Sequence, residues 1–216
     1  MDAAILKLEK ELTWPLIFQE NDSDINDVSC DPVTRKHIFS VPRDKGKNSY
    51  GFVRCLCHAL LAEKVHPLFS AVIVEGPDVI PENLFKSKIW PVFCVSRDWF
   101  ADAFMWKLCP MESRREICNR LAFMERKFPG GRVNGDLSSL LRVALVLAEA
   151  EYLWQADFNL NGEIREMADI FRRVDPMTPD LGKLERLNGS LVKRYSAFSV
   201  ELVEKKETGG AFWRVF

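Results

Sequence analysis

The chain of 216 residues carries 30 Lys and Arg against 31 Asp and Glu, a formal charge of −1, and is 47% hydrophobic and 28% charged. That length buries a sizeable core, and the composition is that of a soluble globular protein rather than a disordered or fibrous one. Two full domains are not expected, so residues 1–216 are read as a single globular domain. The balanced charge argues against a dedicated polyanion binder, which would carry a clear excess of Lys and Arg.

The first residues, MDAAILKLEKELTW, lack the positive leader, apolar stretch and small-residue cleavage site of a secretory signal. The longest apolar run, Val143–Ala148, is too short to span a bilayer. A cytoplasmic address without a membrane partner is therefore expected. In such a reducing compartment Cys30, Cys55, Cys57, Cys94, Cys109 and Cys118 are free thiols.

Residues 3–12 alternate apolar and charged positions at helical spacing, and Pro15 interrupts the pattern, which predicts a short first helix. Residues 21–34 are acidic and rich in turn formers and are expected to be an exposed loop. Lys36–Val41 has the look of a brief strand, closed by Pro42. From Tyr50 the spacing is helical: Val53, Leu56, Cys57, Leu60 and Leu61 share one face, with Cys55, His58 and Ala62 on the back, so both faces should be covered. Pro67 ends this helix, and a buried strand is expected near 70–75.

Trp90–Val95 is a second apolar run of strand length, after which Ser96 is placed to cap a helix from Arg97 to about Leu108. Pro110 suits the first turn of the next helix, whose apolar line is Ile117, Leu121, Met124 and Phe128. The stretch Leu137–Gln155 is apolar nearly all round and marks the central helix. Glu163–Val174 is amphipathic, and a shorter helix is expected after Asp180. Phe198–Glu204 and residues 211–216, joined through Thr208, Gly209 and Gly210, have the pattern of a C-terminal β-hairpin. The predicted fold is helix-rich α+β, verging on α/β: six to seven helices around one small mixed sheet of strands near 36–41, 70–75, 90–95, 197–204 and 211–216.

Polar, reactive groups inside apolar patterns mark where chemistry could sit. Cys55 and His58 share a helix face and are the weak metal candidates, whereas Cys57 points roughly 160° away from Cys55. The five positions Arg54 to His58 have a formal likeness to the HExxH helix of zinc proteases, but the first ligand and the Glu base are absent. Cys94 ends the expected strand at 90–95, and Ser96 and Arg97 open the helix after it, a junction that would favour an anion and activate a thiol. Gly130–Gly135 has the glycine spacing of a phosphate loop, yet Asp136 and Leu137 stand where Lys and Ser or Thr are required, so a turn with Asp136 as helix cap is expected.

In the central helix Arg142, Glu149 and Glu151 are conspicuous among apolar neighbours. A carboxylate such as Glu149, held in an apolar wall, would have a raised pKa and could work with His58. Basic doublets such as Arg114-Arg115 and Arg172-Arg173 are interleaved with acids, as on solvated helix faces.

The catalytic candidates are therefore His58, Glu149 and Cys94, and the ligand-binding candidates Ser96, Arg97 and Arg142. No cofactor is predicted. Because every catalytic template fails at an essential position, the leading expectation is a binding or protein-interaction protein, with a protein partner, a second copy or a small ligand. An enzyme or metal-binding protein built on His58 and Glu149 is the alternative, followed by a nucleic-acid-associated protein.

Overall fold

A computed structural model describes residues 1–43, 49–75, 80–128, 136–155, 162–205 and 210–216. The fold is α+β, with seven helices of ten residues or more and two three-stranded sheets among the described residues. The amphipathic first helix forms as expected, α1 (Asp2–Glu11), and buries Ala4 and Leu8.

Strands β1 (Leu16–Asn21), β2 (Asp27–Asp31) and β3 (Lys36–Pro42) make the first sheet in the order β1-β3-β2, β1 parallel and β2 antiparallel to β3. Residues 21–34 are thus not simply an exposed loop. Val28 and Cys30 turn inward at a spacing of two and are buried, while Asp27 and Ser29 face solvent. The acidic residues are the outer half of a strand alternation and mask it.

Helix α2 (Tyr50–Lys64) starts where Ser49 accepts a hydrogen bond from the Phe52 N–H. It is covered on both sides, by the first sheet and by α4, and Phe52, Val53, Leu56 and Cys57 are fully buried. Pro67 then opens a 3₁₀ turn, Pro67–Phe69, capped by the His66 side chain, so the expected strand at 70–75 shrinks to β4 (Val74–Glu75).

A short turn, α3 (Glu82–Leu84), runs through a π-helical turn at Phe85–Ile89 into α4 (Trp90–Leu108). The expected strand at 90–95 is therefore helix. Pro91 sits in its first turn, where a missing N–H costs nothing, and a short apolar run cannot by itself distinguish a buried strand from a buried helix. Helix α4 is apolar on most sides because it passes between α2, α6 and α8.

Helices α5 (Pro110–Lys127), α6 (Leu137–Trp154) and α7 (Glu163–Arg172) fall where the periodicity puts them, and Asp136 caps α6 through the Ser139 N–H. Helix α8 (Leu181–Tyr195), capped by Asp180, has 15 residues against the 10 of α7, so it is not the shorter of the two. The C-terminal hairpin of β5 (Val200–Lys205) and β6 (Gly210–Val215) forms as expected. It belongs to a second sheet, ordered β4-β6-β5, rather than to the one sheet predicted. Thr208 and Gly209 of its turn, and the Gly130–Gly135 loop, lie outside the described residues.

One connected cluster of buried side chains runs from Ala4 in α1 to Val215 in β6. Phe93 stacks on Trp213 at 5.3 Å between ring centres, and the Trp99 indole donates to the Val174 carbonyl at 2.9 Å. All six cysteines are free thiols. No helix formed by the described residues is long and apolar enough to cross a membrane.

Candidate functional site

Helices α2, α4, α5 and α6 bring His58 and Glu149 to the two ends of one chain of ion pairs. His58 Nδ1 lies 2.9 Å from the Phe69 carbonyl and Nε2 lies 3.1 Å from Asp98 Oδ1. Burial pushes the Asp98 carboxyl up, but Arg54, His58 and Arg97 outweigh it and hold the group well below the usual carboxylate range. Both ring nitrogens therefore face acceptors.

Arg54 stands one turn before His58 on the same face of α2. Its Nη2 reaches Asp98 Oδ2 at 3.2 Å and Asp102 Oδ2 at 2.7 Å. Arg120 of α5 continues the chain, 3.8 Å from Asp102 Oδ2 and 2.7 Å from Glu149 Oε2. The Asp102 and Glu149 side chains are 3% and 2% exposed, whereas those of Arg54 and Arg120 are 23% and 25% exposed. The guanidinium groups thus roof two acids that lie beneath them.

A general base needs a lone pair that a substrate can reach, and both ring nitrogens of His58 are turned to acceptors of the protein itself. In the metalloprotease likeness the first metal ligand would stand at residue 54, where this chain places a cation. Among the described residues no group of three or more His, Cys, Asp or Glu is arranged to hold a metal ion. Cys55 is buried, and burial, with a smaller contribution from Asp27, pushes its thiol up to about 12.

Cys94 and Arg97 lie half-buried on the strip of α4 that carries Asp98. Burial raises the Cys94 thiol despite Arg97 Nη2 at 3.9 Å, and Arg97 Nε is spent on the Phe93 carbonyl at 3.0 Å. Ser96 does not cap a helix, because it lies within α4, buried, with its hydroxyl 2.5 Å from Asn188 Oδ1 of α8. Arg142 is exposed on α6 and takes no part in the chain of ion pairs. Glu151 turns instead to α7, where Arg165 Nη2 at 2.6 Å and Arg172 Nη1 at 3.0 Å hold it.

Arg54, Asp102 and Arg120 escape the sequence reading as site residues, and Asp98, expected with Ser96 to cap a helix, lies instead within α4 against His58 and Arg54. The available signal is Asp98 and Asp102, two acids one turn apart in an aromatic helix, a pattern that only a buried cation explains.

The first sheet offers a different kind of surface. The His37 N–H bonds to the Pro15 carbonyl and the Arg43 N–H to the Asn21 carbonyl, so β1 pairs with β3 through its odd-numbered residues. The backbone groups of Leu16 and Glu20 then face away from the sheet. Among the described residues no strand lies beyond this edge, and Ile17 and Phe18 are each 39% exposed. The edge of β5 differs: there Glu185 Oε1 accepts the Leu202 N–H at 2.9 Å. Compared with protein-family models, curated proteins and solved structures, the chain matches none of them.

Proposed function

We propose that the chain is a non-catalytic protein-interaction protein that takes up an extended segment of a partner along the outer edge of β1. The observation that carries this reading is that the backbone groups of Leu16 and Glu20 face outward from the sheet. An edge strand templates another strand, and proteins that avoid such pairing guard their edges with charged side chains, above all Lys, with Pro or with a bulge; here Glu20, paired with Arg43, is the one charge. The sequence LIFQEN contains neither Lys nor Pro. Leu16 and Phe18 on one face and Ile17 and Gln19 on the other would sort the alternating side chains of an added strand.

The engagement of His58, Glu149 and Cys94 in structural contacts supports binding over catalysis. A cytoplasmic setting belongs to the same proposal and is supported by six unpaired cysteines.

Selection of extended peptides from a random display library tests the reading. Bound peptides should slow amide exchange at Leu16 and Glu20, and Ile17→Lys should weaken them by about tenfold or more while leaving the melting temperature unchanged. Peptides that protect a different surface, or none selected at all, would overturn it.

A further inference from the structure

Below the two arginines, two carboxyl groups are left with one oxygen each to account for. Glu149 Oε2 takes Arg120 Nη2 at 2.7 Å, and Asp102 Oδ2 takes Arg54 Nη2 at 2.7 Å and faces Arg120 Nη1 at 3.8 Å. Their other oxygens, Glu149 Oε1 and Asp102 Oδ1, are buried and lack any hydrogen-bond partner among the described residues. The two side chains nevertheless stand within hydrogen-bonding reach of each other. Two ionised carboxylates in contact present lone pairs to one another and repel, whereas a single proton between them satisfies both orphaned oxygens.

We propose that Glu149 binds a proton at neutral pH and donates it from Oε1 to Asp102 Oδ1, so that the base of the ion-pair chain is a proton-binding site. The charged and titratable groups around Glu149 come from three helices. Asp102 faces it from α4 and Arg120 from α5, while α2 contributes Arg54 and, farther off, Tyr50, whose hydroxyl is 3.4 Å from Ser113 Oγ. His58 and Asp98 close the far end, where the second hydrogen bond of His58 anchors the imidazole. Burial raises the Glu149 carboxyl, Arg120 and Arg54 oppose it, and Asp102 adds to burial, leaving it well above its ordinary value. Loss of the proton would bring two negative oxygens together out of reach of water, so the arginine roof would have to move.

The test is carbon-13 NMR of the full chain with glutamate side chains labelled at the carboxyl carbon. One resonance should sit at the protonated-acid position at neutral pH, vanish in Glu149→Gln and shift in Asp102→Asn. Glu149→Gln should also match the wild-type unfolding midpoint at acid pH and exceed it at neutral pH, because the amide N–H₂ replaces the donor without having to take up a proton. Should that variant not fold, the wild-type resonance and its shift in Asp102→Asn still decide the matter. A spectrum in which every glutamate carbon is carboxylate-like at neutral pH would overturn the proposal, as would a protonated resonance indifferent to Asp102→Asn.

Discussion

His37 Nε2 meets Glu63 Oε1 at 2.9 Å across the seam between β3 and the last turn of α2. The same carboxylate accepts the Thr13 N–H at 2.8 Å, the Thr13 hydroxyl at 2.5 Å and the Trp14 N–H at 3.0 Å, while the Trp14 indole stacks on His37. One side chain therefore fixes the path by which the chain leaves α1 and enters β1. Burial pushes Glu63 up, but these hydrogen bonds outweigh it and leave the carboxyl below its ordinary value.

Glu63→Ala strands these donors at once and should destabilise the protein by about 3 kcal/mol, given the cost of unsatisfied partners of a charged group. Urea unfolding measures it. A loss below about 1 kcal/mol would mean that water replaces the carboxylate freely.

The pH dependence should have two limbs of opposite sign. Burial lowers the His37 pKa from 6.5, against the pull of Glu63, so the folded state holds fewer protons than the unfolded chain below that value. Stability from His37 is present above pH 6.5 and is lost as pH falls, joined below 4.5 by Glu63. Glu149 acts oppositely. Its raised pKa makes stability fall as pH climbs above the ordinary value of 4.5. Urea midpoints measured across pH should lose the rising limb in His37→Gln and the falling limb in Glu149→Gln. Unaltered profiles in both variants would contradict these assignments.

Removing the central cation is the severe test of the ion-pair chain. Arg54→Met leaves Asp98 and Asp102 facing each other's charge and should cost about 3–5 kcal/mol, as when one partner of a buried pair is deleted. Arg54→Lys, which keeps the charge but loses the guanidinium Nη2 that meets both acids, should fall in between. Equal stability of all three proteins would show that solvent screens the site.

Thiol labelling separates the cysteines by environment. Cys118 alone is exposed and should react first, followed by half-buried Cys94. Cys30, pushed up to about 11 chiefly by burial, and Cys55 should react only as the protein opens. Unfolding without reductant should release six thiols. A fast native reaction at Cys55 would place α2 at the surface.

The helices α5, α6 and α7 and the terminal hairpin are legible because each has one dominant period and clear punctuation. The strand β1 is not, since LIFQEN buries no side chain completely and so has no inside-outside alternation to find. Trp90–Val95 misleads for a different reason: Pro91, Val92, Phe93 and Val95 are buried, and the exposed Trp90 and half-buried Cys94 are themselves apolar, so no polar face reveals its period. At the site, His58 and Glu149 stand out as polar residues in apolar helices. Arg54 and Arg120 do not, because an arginine on a helix looks the same whether it faces solvent or roofs two acids on another helix.

The position of β6 between β4 and β5 bears on the order in which the chain assembles. The hairpin β5-β6 draws on neighbours close in sequence, but Val74 meets Trp213 only after α3 to α8 have been gathered between them. Closing so long a loop for a two-residue strand brings little immediate return, so this junction should be consolidated late in refolding and breathe early in the native state. Because Trp213 both pairs with Val74 and stacks on Phe93 of α4, its fluorescence would report the docking of the hairpin onto the rest of the fold.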